Sequence, residues 1–247
     1  MTENRIDRTL QALKQQGKKA LIPFVTAGHG GYDRTEQLVL QMEKAGADII
    51  ELGVPFSDPI AEGPVIQHAS EQALKQGTTL AGIFELVKRL RKKTDMPLLL
   101  MMYLNTIFSH GTEEFFRTCQ EIGIDGVIVP DMPFEEKDEI QGSADKYHIH
   151  NISLVTPASE GRIQMIAEDA TGFLYCVSSN GVTGMRTKFQ TDFSAFFAPI
   201  HKYAKIPCMV GFGISSPEAA KQMSQYYVAL FSHVCIYINM YSVSHGA

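Results

Sequence analysis

Two carboxylates bracket one short loop of this chain. Residues 51–63 read ELGVPFSDPIAEG, with Glu51 closing an apolar run and Glu62 lying in a stretch rich in Gly and Pro. An acid facing the mouth of an apolar pocket is costly to ionise, so its pKa rises and it suits general acid catalysis. The ordinary alternatives are a structural carboxylate held by a neighbouring donor at 51 and a solvated surface acid at 62. Nothing else in the chain groups as tightly. The eight histidines form no ligand set, and His148-x-His150 lies in a polar, loop-like stretch, so no metal site is expected. The four cysteines, Cys119, Cys176, Cys208 and Cys235, are scattered without a C-x-x-C pair, which reads as buried, reduced thiols in a cytoplasm.

Acids of this kind need a frame to hold them. Apolar, β-rich runs recur at residues 20–26, 48–54, 97–103, 126–130, 151–156, 172–177 and 207–212. Continuous runs of this length suit strands buried on both faces, as in a parallel sheet. Helical spacing fills the intervals at 35–45, 82–90 and 112–122. Residues 4–16 add a polar amphipathic helix before the first strand, placed to plug a barrel bottom. The basic run 88–93 fits a helix C-terminus. Regular alternation means parallel strands joined by right-handed crossovers. Seven runs spread over 247 residues favour a single (β/α)8 barrel spanning 1–247, close to the typical size of about 250 residues. A doubly wound open sheet is the competing frame, but PFVTAGHGG lacks the glycine spacing its first turn would carry.

Composition agrees with that frame and narrows the partners. Hydrophobic residues at 45% and charged residues at 20% fit a globular domain with a sizeable core. A net charge of −5 leaves no footprint for nucleic acid. Nothing near the N-terminus reads as a secretion signal.

Barrels of this kind place their chemistry at the C-terminal ends of the strands. Those ends carry Phe24 and Thr26, Glu51 and Gly53, Tyr103 and Asn105, Asp131, Thr156, Tyr175 and Ser178, and Gly211-Phe212-Gly213. The sixth and seventh loops, SSNGVTG and GFGISS, offer backbone amides suited to an anion. Together these describe a phosphorylated ligand held at the sixth to eighth loops. Its other end lies in an apolar pocket lined by Phe24, Met101, Tyr103, Ile128, Leu154, Tyr175 and Phe212, with two acids facing it.

In order along the chain, PFVTAG, ELGVPFSDPIAEGPVIQ, VPDMP, SSNGVTG and GFGISSPE resemble the tryptophan synthase α-subunit family over about residues 22–221. That resemblance implies retro-aldol cleavage of indole-3-glycerol phosphate to indole and glyceraldehyde 3-phosphate. It places the family's catalytic glutamate on Glu51 and its second carboxylate on Glu62, where the family typically has aspartate. It puts the pocket tyrosine on Tyr175, the mobile-loop threonine on Thr183, and phosphate-side positions on Gly184, Phe212 and Gly213. It also implies an α2β2 heterotetramer with a β-subunit carrying pyridoxal phosphate, this chain holding no cofactor. Pro55, Phe56 and Asp58 then lie on the docking loop. Two other functions remain open: a catalytically impaired regulatory subunit, and a sugar-phosphate isomerase or epimerase on the same kind of barrel.

The chain departs from the family pattern after Lys221. Residues 222–247 contain no Asp, Glu, Lys or Arg and no Gly-Ser pair for phosphate. A truncated or frameshifted C-terminus is the favoured reading, with a divergent eighth strand at 234–238 as the second. A membrane segment is disfavoured by the Ser, His, Asn and Gln that interrupt it. On any of these readings, the eighth strand and final helix are the uncertain part of the barrel.

Overall fold

In the computed structural model, residues 3–177, 193–211 and 229–232 are described. The strands are β1 (Ala20–Thr26), β2 (Ile50–Gly53), β3 (Leu98–Met101), β4 (Gly126–Ile128), β5 (His150–Asn151), β6 (Leu154–Val155), β7 (Leu174–Val177), β8 (Cys208–Gly211) and β9 (Ala229–Ser232). They pair in parallel in the order β5-β4-β3-β2-β1-β9-β8-β7-β6. β5 and β6 are two halves of one stave. Between them, the Ile152 N–H donates to the Val127 carbonyl on one side, and the Ser153 carbonyl accepts the Tyr175 N–H on the other, each at 2.9 Å. The two ends of the order are therefore one stave, and the sheet closes as an eight-staved (β/α)8 barrel.

β9 lies inside the divergent tail. It pairs with β1 from Ala20↔Ala229 to Pro23↔Ser232, and with β8 through Met209↔Ala229 and Val210↔Leu230. The eighth stave thus falls upstream of the 234–238 placement. Its register is set by both neighbours at once, Ala229 standing opposite Ala20 on one side and Met209 on the other.

Alternation within each strand sorts the side chains into two layers. Leu99 and Met101, Phe173 and Tyr175, Ile128, Met209, Ile22 and Phe24 point into the barrel and pack together. Their neighbours Leu98, Leu100, Val127, Leu174, Cys176 and Val210 point outward beneath the helices. Both faces are apolar, which is why the strands read as unbroken hydrophobic runs.

The outer ring is built from α2 (Tyr32–Lys44), α3 (Pro64–Lys75), α4 (Leu80–Arg91), α5 (Leu104–His110), α6 (Thr112–Ile122), α7 (Asp138–Lys146), α8 (Ile163–Asp169) and α9 (Phe193–Tyr203). Ahead of them, α1 (Arg5–Gln15) plugs the barrel bottom with Ile6 and Leu10, which join the interior cluster. Asn4 fixes this plug. Its side-chain oxygen caps the Ile6 N–H, and its amide donates to the carbonyls of Asp125 at 2.9 Å and His148 at 3.1 Å, just before β4 and β5. Cys119, Cys176 and Cys208 are buried free thiols. Among the described residues no helix is long and apolar enough to cross a membrane, and no group of His, Cys, Asp or Glu could hold a metal ion.

Candidate active site

β2 carries the acid into the barrel. Ile50 and Leu52 pack outward under the helices while Ile49 joins the interior, so the alternation turns Glu51 inward as well. It stands level with Phe24 of β1 and Leu99 of β3. The residue is 0% exposed. Among the described residues neither carboxylate oxygen has a hydrogen-bond partner. Desolvation alone therefore acts on it, and pushes its pKa up to about 8. At neutral pH Glu51 keeps its proton.

Around it lies much of the expected apolar wall. Phe24, Met101, Ile128 and Tyr175 are buried in one cluster, with Leu154 half-buried against it. The Tyr175 hydroxyl sits close enough to Glu51 that the acid's charge helps to hold the phenol above its ordinary pKa, after burial, the larger cause. Two glycines make room for these rings. A Cβ at Gly211 would lie 2.0 Å from the Tyr175 hydroxyl, and one at Gly53 would lie 2.3 Å from the tip of the Phe24 ring. Neither position accepts a side chain without moving a buried aromatic.

Tyr103 does not join this wall. It follows β3 at the N-cap of α5, and its hydroxyl turns towards the loop between β2 and α3. There it accepts the N–H groups of Ile60 at 2.9 Å and Ala61 at 3.0 Å, and donates to the Glu62 carboxylate. Glu62 is half-buried. Burial raises its pKa and Asp131 adds to the rise, while the bonds from Tyr103 and from loop amides oppose it. Asp131, a strand-end residue given no role by sequence reasoning, accepts the Leu104 N–H at 3.0 Å and so fixes the turn that carries Tyr103.

The loop expected to dock is mixed in character. Asp58 is exposed and bonded to Ser57, Phe56 is half-buried on the face of Tyr103 at 4.8 Å between ring centroids, and Pro55 is buried behind them. Ile60 stands 71% exposed beside the site. A cavity of about 370 Å³ opens between this loop and the fourth and fifth staves, bordered by Ile60, Val129, Asp131, Ile152 and Leu154. A larger cleft of about 750 Å³ lies at the opposite end of the barrel. In its lining Arg5, Arg8, Arg91, Asp95 and Asp125 are joined by ion pairs, and its buried acid, Asp125, is paired where Glu51 is not. Thr183, expected as the mobile-loop threonine, and Gly184, Phe212 and Gly213, the phosphate-side expectations, lie outside the described residues.

Comparison with known proteins bears on this arrangement. The tryptophan synthase alpha chain family matches residues 10–230. The chain is 52% identical over 215 residues to the tryptophan synthase alpha chain of Alkaliphilus metalliredigens, covering 87% of this chain and 81% of the relative. It is 46% identical over 223 residues to that of a Thermoanaerobacter species, covering 90% and 85%. Among solved structures, the alpha subunit from Legionella pneumophila superposes with a TM-score of 0.82 at 36% identity, over 93% of this chain and 86% of that one. The a2b2 tryptophan synthase complex from Pyrococcus furiosus contains a chain matching at TM-score 0.78 and 30% identity, over 86% of each.

Proposed function

The chain belongs to the tryptophan synthase alpha chain family and is a lyase acting on indole-3-glycerol phosphate in tryptophan biosynthesis; from that premise we propose that Glu51 and Glu62 divide the retro-aldol step between them. The bond to be broken joins indole C3 to the glycerol carbon that bears the adjacent hydroxyl. Glu51, protonated at neutral pH, delivers its proton to C3, and the ring nitrogen becomes cationic. The hydroxyl proton then passes to the Glu51 carboxylate. The C3–carbon bond electrons return to the ring, and that carbon becomes the aldehyde of glyceraldehyde 3-phosphate. Protons balance and Glu51 ends as it began. Acid–base work of this kind contributes about 10²–10⁴-fold.

Glu62 accepts the ring N–H and meets the charge that develops there, an electrostatic contribution made in the transition state. Phe24, Met101, Ile128, Leu154 and Tyr175 receive the indole. Through the family resemblance, Thr183 is assigned as the mobile-loop threonine and Gly184, Phe212 and Gly213 are assigned the phosphate end. The product is apolar and must reach a second enzyme without escaping, which suits pairing with a β-subunit in an α2β2 assembly. Exposed Asp58 and Ile60 and the half-buried Phe56 are proposed for that surface. Proton transfers suffice for the step described, so pyridoxal phosphate is assigned to the β-subunit alone. The buried free thiols support a reducing, cytoplasmic setting.

One observation carries the catalytic assignment: Glu51 is wholly buried in an apolar barrel without a hydrogen-bond partner among the described residues. Incubating the purified chain with indole-3-glycerol phosphate and measuring released indole tests it. Indole appearing with the wild-type chain and not with Glu51→Gln supports the reading. Equal release from both removes Glu51 from the mechanism.

A further inference from the structure

The hydroxyl of Tyr103 has one proton to donate and two lone pairs to accept with, and all three are in use. It accepts from Ile60 and Ala61 and donates to Glu62, three consecutive residues of one loop. Its own position is set from elsewhere. The Thr106 N–H bonds back to the Tyr103 carbonyl at 3.0 Å, the Leu104 N–H is held by Asp131, and the ring is only 3% exposed. The loop is far less tethered. Ser57, Asp58 and Ile60 are exposed, and Gln67, bonding the Glu62 carbonyl at 2.8 Å, is the neighbouring anchor. A rigid phenol thus grips the exposed loop at the residues leading into and including the second acid.

We infer that Tyr103 is a positioning residue for Glu62, its hydroxyl holding the carboxylate and the loop behind it in place to meet the ring N–H of the substrate. This rests on the role proposed above for Glu62, and it replaces the expectation that Tyr103 lines the indole pocket. An ionised carboxylate has about four acceptor sites, so a bond from Tyr103 leaves capacity for the ligand. The bond also favours the charged form that the developing cation needs. Burial and Asp131 push the other way. Phe56, stacked on the same ring, joins the docking loop to this anchor.

Tyr103→Phe keeps the ring, its burial and its contact with Phe56, and removes the hydroxyl alone. The assay is steady-state cleavage of indole-3-glycerol phosphate by wild-type, Tyr103→Phe, Glu62→Ala and the double variant. A hydrogen bond to a half-exposed charge sets the scale, so kcat should fall roughly tenfold with KM little changed. In the Glu62→Ala background the second substitution should cost nothing further, because the group it positions is gone. A kcat within twofold of wild-type, or a full loss repeated in the Glu62→Ala background, overturns the inference. A second measurement needs no turnover. Titration of the Glu62 carboxyl by ¹³C NMR, with Glu62→Gln as the assignment control, should show its pKa rising in Tyr103→Phe by about half a unit to one unit. An unchanged titration overturns the inference. A wild-type chain that releases no indole refutes the proposed function instead, and leaves the titration to decide the role of Tyr103.

Discussion

Replacing Glu51 with Gln should stabilise the protein in a pH-dependent way while abolishing turnover. The unfolded chain ionises this carboxyl near its ordinary value of 4.5, and the folded chain near 8. Below about pH 4.5 both states hold the proton and the site costs nothing. As pH rises past that point the unfolded chain releases the proton and the native chain does not, so stability falls by about 1.4 kcal/mol per pH unit. The loss reaches about 3 kcal/mol at pH 7 and about 4 kcal/mol at pH 8, then levels near about 5 kcal/mol as the native acid ionises. Gln is close in shape and does not titrate. Contributions from every other group appear in both proteins and cancel in the difference. Urea unfolding of wild-type and Glu51→Gln at pH 5, 6, 7 and 8 should therefore show the variant's advantage growing steadily with pH. A difference that stays flat across this range would mean that Glu51 is ionised in the native protein and cannot be the acid that protonates C3. The same variant should retain less than about a hundredth of the wild-type kcat.

The pH profile of kcat/KM should have a falling limb near pH 8, where free Glu51 loses the proton it must donate; a profile level to pH 10 would contradict this. Glu62→Ala should lower kcat more than it weakens binding of an unreactive substrate analogue, and Glu62→Asp should be the mildest change at that position; equal losses in both quantities would make Glu62 an ordinary binding group. Gly211→Ala places a Cβ 2.0 Å from the Tyr175 hydroxyl, so it should cost about 1–3 kcal/mol of stability in urea unfolding. It should also slow turnover by displacing the group beside Glu51, and a variant as stable and active as wild-type would show that the ring has room to move.

The frame was legible wherever local chemistry and tertiary burial agree. Residues 20–26 and 112–122 form a strand and a helix with the expected limits, because each carries its full apolar pattern and few conflicting signals. Asn4 and Gln16, the ends expected for the first helix, are its caps. The fifth run, read as one strand at 151–156, is divided between β5 and β6 because its two halves bond to different neighbours. The spacing gave no sign of α3, α5, α7, α8 or α9: α7 buries only Ile140 and Ala144 within a polar sequence, and α9 runs through Pro199. Glu51 was visible as a charge inside an apolar run. The grip of Tyr103 on residues 60–62 was not, since it joins positions some forty apart in sequence through a hydroxyl that no spacing rule reports.

Two buried acids show that the isolation of Glu51 is a property of its place in the barrel. Asp125, 2% exposed near the bottom, accepts from Arg5 at 3.0 Å, from Arg91 at 2.8 Å and from the Leu98 N–H at 2.8 Å. Through Arg5 it ties the plug helix to β4, and through Arg91 it ties α4 to the same strand. The fold can therefore satisfy a buried carboxylate completely where the carboxylate is structural. At Glu51, deeper still, the described residues supply no donor at all. A guanidinium placed there would hold the carboxylate ionised and remove the proton that the proposed step requires. The bottom face gathers its charges into pairs that stabilise the barrel, and the upper interior keeps one acid neutral at a cost of several kcal/mol. On the mechanism proposed for Glu51, the substrate on arriving is the partner the acid lacks.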